Sequence, residues 1–175
     1  MVTLGPGDGT IKVYCKREGL AARVGHDLTL QVAQWNANVE LDPDDITRSS
    51  VTATLDGQSL EVLEGHGGAT PLSDKDRNDI KKNIAQKVLT SGTITFRSTS
   101  IESSGDGKIG VNGELTIGGA TRPVRLALTQ DGERFTGRVV IRQTDFGIKP
   151  YSAMLGALKV ADEVEIEVDV RIPAG

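Results

Sequence analysis

A chain of 175 residues with 20 lysines and arginines against 24 aspartates and glutamates carries a net charge of −4 and a pI near 5.2. That length suffices for one domain, residues 1–175, with a core that needs neither disulfides nor a structural metal. The acidic balance offers no basic field to draw phosphate backbones, which argues against nucleic acid as a partner.

The N-terminal stretch MVTLGPGDGT has neither a basic segment nor an apolar run, and nowhere do about 18 apolar residues follow one another. The expectation is a soluble, cytoplasmic protein with no membrane span. In TIKVYC, the alternation of Ile11, Val13 and Cys15 marks a strand, and Cys15, the one cysteine, reads as a buried structural thiol in a reducing compartment. Period-two alternation continues through HDLTLQV, WNANVEL and SVTATL, with the turn DPDD between the last two. SDKDRNDIKKNIAQKVL breaks the period. Ile80, Ile84 and Val88 fall four apart, Ser73 and Asp76 suit a capping box, and Gly92 lies past the end, so the segment predicts one inserted helix closing a barrel end. Alternation resumes in TITFRS, KIGVNGELTI, RPVRLAL, RFTGRVVIR and EVEIEVDVRI. In PYSAMLGALK, Met154, Leu155 and Leu158 are spaced to share one face of a shorter second helix. The sum is all-β: an antiparallel sheet of about eight to ten strands, each apolar on one face, which must close into a barrel or stack as two sheets.

Motifs for chemistry are sparse. GDGKIG places Gly105, Gly107 and Gly110 in a dinucleotide-type spacing, but flanking strands make it a hairpin turn. DFG at Asp145–Gly147 lacks the catalytic loop of a kinase. His26 and His66 stand 40 residues apart with no second ligand at metal spacing, so neither metal nor cofactor is expected. His66, in the glycine-rich EGHGGATP, reads as part of a mobile surface loop. His26 and Asp27 resemble an acid–base pair, yet neighbours on a strand point to opposite faces. By alternation His26 groups with Leu28, Leu30 and Val32 at a barrel end. Periodicity alone leaves two interiors open, a filled core and a ligand cavity.

Three elements, ITFRST (Ile94–Thr99), GELTIGGATRPV (Gly113–Val124) and RQTDFGI (Arg142–Ile148), stand in order with VGHDLTLQVAQWNANVELD before them and VADEVEIEVDV after. Over about residues 10–172 this series resembles the YceI-like family of lipid-binding proteins. The resemblance implies a lipocalin-like antiparallel β-barrel of about eight strands, with a helix near one opening and a long cavity for polyisoprenoid or other long-chain amphipathic lipids. It places His26 at the GHD position heading a strand. NIAQKVLTSG replaces an aromatic and YP stretch usual before the ITF strand, so the cavity mouth is expected to differ.

The expected function is non-enzymatic binding of a long-chain isoprenoid or fatty-acid-like ligand. The expected inward residues are Leu28, Leu30, Ala37, Val39, Phe96, Val111 and Leu115, with Phe146, Ile148, Tyr151, Met154 and Leu155 near the closing end. For a charged head group the candidates are His26, Arg142 and Arg122, with pairing of Arg142 to Asp145 as the alternative role. Two rivals stand beside this reading: a filled-barrel interaction module acting through its surface or as a homodimer, and a barrel enzyme acting on a hydrophobic substrate.

Overall fold

Strands that are apolar on one face only must find a common interior, and here they do so by wrapping into a single antiparallel wall. In this computed structural model all residues are described except 20, 21, 23, 24, 69, 91, 154, 155, 157 and 175, and the side chains of 153 and 158. The strands are β1 (Val2–Leu4), β2 (Gly9–Glu18), β3 (Asp27–Val32), β4 (Trp35–Glu40), β5 (Ser50–Asp56), β6 (Leu60–His66), β7 (Thr93–Gly105), β8 (Lys108–Ile117), β9 (Ala120–Asp131), β10 (Arg134–Arg142), β11 (Ser152–Ala153) and β12 (Leu158–Arg171). The helix α1 spans Asp74–Asn83.

Among the described residues there are twelve strand segments where about eight were expected, and the pairing shows why. β1 lies along β4 while β2 lies along β3, and β4 pairs β5 while β3 pairs β6. The consecutive strands β1–β2, β3–β4 and β5–β6 are thus each one long ribbon with a short interruption. Joined across the breaks, three ribbons and the strands β7, β8, β9, β10 and β12 close the wall on itself, because β12 pairs back onto β2. The break at 33–34 has a visible function. Val32 and Trp35 both face inward although they are three positions apart, so the ribbon must change phase between them. Ser59 holds that bulge: its carbonyl accepts from the Ala33 amide at 3.2 Å and its hydroxyl from the Gln34 amide at 2.9 Å.

β10 pairs β9 only from Arg134↔Asp131 to Arg138↔Ala127. Beyond that point the seam widens, and the 3-10 turn Gln143–Phe146 packs into it. Phe146 is buried there with Leu115, Ile117, Ile141 and Val164. Gly147 ends the turn at φ 71°, a left-handed conformation that suits glycine.

The capping box of α1 forms as its sequence suggests: the Ser73 hydroxyl accepts from the Asp76 amide at 3.1 Å, and Asp76 accepts from the Ser73 amide at 3.0 Å. The expected helix to Leu89 changes character after Asn83, widening into a π-turn over Ile84–Val88. Arg77 ties the helix to the edge strand β6, donating to the carbonyls of Val62 and Leu63 at 3.1 and 2.7 Å. Those edge carbonyls would otherwise stand open to another strand.

The second helix is corrected where it is described. Ser152 and Ala153 form β11 against Leu158 and Lys159, and Gly156 sits at φ 87° between them, a conformation that reverses the chain into a hairpin. Met154 and Leu155 lie outside the described residues. No described helix is long and apolar enough to cross a membrane.

Candidate functional site: the barrel lumen

Alternation in each ribbon sends one row of side chains inward. β2 contributes Ile11, Val13, Cys15 and Arg17; β3 and β4 contribute Leu28, Leu30, Val32, Trp35, Ala37 and Val39; β8 contributes Ile109, Val111, Leu115 and Ile117. These rows do not meet in the middle. They enclose a cavity of about 540 Å³ with a wall that is almost wholly apolar, within the range of about 300–1,000 Å³ usual for small-molecule sites. Leu4 and Phe135, each 3% exposed, line it with Val170 and Ile172. Ile80, Ile84, Val88 and Leu89, from α1 and its π-turn, roof one end. Space along the wall depends on Gly113, where a Cβ would lie 2.4 Å from the Phe96 ring.

Ten of the expected site residues line this cavity: His26, Leu28, Leu30, Ala37, Val39, Phe96, Val111, Leu115, Ile148 and Tyr151. Phe146 does not, being committed to the seam between β9 and β10. Arg142 is turned outward by the same alternation that buries its neighbours Ile141 and Gln143, and its Nε lies 3.5 Å from Glu163 on the outer wall. The expected alternative partner, Asp145, is not used. The turn is fixed instead by Asp162, which accepts from the Thr144 amide at 2.9 Å and the Thr144 hydroxyl at 2.6 Å. Arg122 is also exposed and donates to the Thr121 carbonyl at 2.8 Å.

His26 and Asp27 go separate ways. The His26 Nε2 lies 2.6 Å from the Thr70 carbonyl oxygen, so that nitrogen carries the hydrogen and donates it. The Asp27 carboxylate accepts from the Arg17 amide at 2.9 Å. His66, expected on a mobile loop, is the last residue of β6, where its carbonyl accepts from Arg17 Nη1 at 2.6 Å. The loop is thereby tied at both His66 and Thr70. Cys15 lines the lumen wall, where burial pushes its thiol up to about 12; a thiol so placed is inert as a nucleophile at neutral pH.

Sequence reasoning missed Arg17 and Lys159, both of which line the cavity. The signal for Arg17 was present, two positions beyond Cys15 in the same alternation. Among the described residues, no three His, Cys, Asp or Glu side chains come together as a metal site.

A model of the YceI-like domain matches residues 13–172. The chain belongs to the YceI-like family. Relatives of this YceI-like chain include a UPF0312 protein of Ectopseudomonas mendocina, 31% identical over 110 residues, covering 57% of this chain and 53% of that protein. Another, from Vibrio cholerae, is 28% identical over 146 residues, covering 78% of this chain and 70% of that protein. The chain's match spans 34% of the Shewanella oneidensis relative and about half of the Ectopseudomonas one. Among solved structures, Burkholderia cenocepacia BcnA superposes with a TM-score of 0.70 at 23% identity, over 94% of this chain and 96% of that one. A Campylobacter jejuni YceI protein does so with a TM-score of 0.58 at 15% identity, over 83% and 84%. At those identities the likeness speaks for the barrel fold.

Proposed function

We propose that this YceI-like chain binds one long-chain amphipathic lipid, of polyisoprenoid or fatty-acid type, inside the barrel and carries it without chemical change. The observation that supports this reading is the lumen itself, an apolar cavity of about 540 Å³ with few polar side chains in its lining, Arg17, Lys159 and Tyr151 among them. A filled barrel would leave no such space, and a hydrolytic site would need a nucleophile beside a base. Each methylene taken from water contributes about 0.8 kcal/mol, so about ten of them give a gross gain of order 8 kcal/mol before the cost of ordering the chain. Residues such as Leu30, Val111 and Leu115 supply the wall, and His26 holds the loop at the mouth.

Mass spectrometry of an organic-solvent extract of the purified protein tests this reading. A single long-chain lipid in near-equimolar amount is the expected result when the host makes one. An extract free of lipid, together with no uptake of added polyprenol or fatty acid, would sink it.

A further inference from the structure

The lumen has a sign. The chain holds more acids than bases, yet among the described residues lining the cavity no aspartate or glutamate occurs, while Arg17 and Lys159 do. We infer that the ligand carries an oxyanion head, a carboxylate or a phosphate, and that Arg17 receives it at the mouth. This rests on the carrier reading above and adds the chemistry of the head group.

Arg17 continues the inward row of Ile11, Val13 and Cys15, so its aliphatic stem lies along the wall and its guanidinium at the rim. The group is held in place before any ligand arrives. Nη1 donates to the His66 carbonyl at 2.6 Å, and the loop passes so close that a Cβ at Gly67 would lie 2.0 Å from Nη1. One backbone carbonyl uses a single donor of the five a guanidinium offers, and among the described residues no carboxylate pairs with it. The carboxylates nearby are engaged elsewhere: Asp27 with the Arg17 amide, Asp76 in the helix cap and Glu18 3.9 Å from Lys159. A guanidinium with free donors beside an apolar cavity matches the planar or tetrahedral oxygens of an anionic head. A cationic head would meet the Arg17 guanidinium, which no carboxylate pairs among the described residues.

Delipidated protein titrated with palmitate, hexadecyl phosphate, hexadecanol and hexadecylamine tests the inference, with affinities read by displacement of a lumen fluorophore. One or both anions should bind at least about tenfold more tightly than the alcohol, with the amine weakest. Arg17→Gln should erase most of that advantage and leave hexadecanol unchanged. Which anion is preferred separates carboxylate from phosphate. Equal binding of anions and alcohol by the unaltered protein, which needs no variant to fold, would overturn the head-group assignment while leaving the carrier reading intact. If none of the four binds, the head-group assignment falls, and uptake of added polyprenol decides the carrier reading separately. An equal loss of anion and alcohol in Arg17→Gln would show that the arginine acts only on the loop.

Discussion

Leu115 and Thr116 are neighbours on β8 that face opposite sides of the wall. Leu115 is 7% exposed and lines the lumen, whereas the Thr116 hydroxyl lies 2.7 Å from that of Thr121 on the outside. Leu115→Trp should fill lumen space and weaken a long-chain ligand by tenfold or more, about 1.4 kcal/mol, and Thr116→Trp should leave affinity unchanged. Equal affinities for the two variants would mean that the chain is not bound in the lumen. Cys15 gives a second test, through pH. Its folded-state value of about 12 lies above the unfolded value of about 8.5. In that window the unfolded chain releases the thiol proton while the folded chain retains it, so this contribution is complete below the window and lost as pH rises through it. The stability advantage of wild type over Cys15→Ala should therefore shrink between pH 8 and pH 11 in denaturant titrations. A gap that stays constant would show that the thiol is not buried. At this scale alternation was a sound guide wherever a strand runs unbroken, and it placed Leu30, Val111 and Leu115 on the cavity wall. It was not followed far enough at Arg17. Arg142 was chosen for its charge although its own neighbours, Ile141 and Gln143, mark it as outward.

The roof of the lumen is held by few contacts, and each is a separate experiment. Ser73→Ala removes the cap of α1 and should cost about 1 kcal/mol, while Arg77→Ala releases the helix from the carbonyls of β6. Both should raise amide hydrogen exchange over residues 76–83 and leave β8 protected, since local opening follows local contacts. Exchange that rises equally in β8 would make the helix part of the core and not a roof. His26→Ala should act on the loop instead. Losing the bond to the Thr70 carbonyl should speed exchange over residues 66–72, and a protected loop would remove the clamp role. The capping box could be read directly, because its chemistry lies within four consecutive residues. The π-turn could not, since the four-residue spacing of Ile80, Ile84 and Val88 suits either winding. The phase change at 33–34 was equally hidden: it depends on Ser59, distant in sequence.

For the molecule as a whole, the barrel separates two chemistries. The outer wall carries cross-strand ion pairs, among them Arg97–Glu114, Arg134–Asp169, Arg138–Glu167 and Arg171–Glu133. Pairs this exposed add little to stability and serve mainly to favour one register of the strands. The inner wall carries apolar side chains around a cavity of about 540 Å³, a lining that an apolar guest matches. The all-β class could be read from nine alternating segments and the choice of barrel over stacked sheets from the family resemblance, but the lumen volume could not, because it depends on how far apart the facing rows stand. The most direct test is methyl NMR on delipidated, methyl-labelled protein titrated with a long-chain fatty acid or polyprenol. The account predicts that the methyls of Leu30, Val111, Leu115 and Ile166, which line the lumen, shift together and saturate at one ligand per chain. Val140, 57% exposed on the outer wall, should stay in place. Shifts centred on Val140 with the lumen methyls unmoved would contradict it.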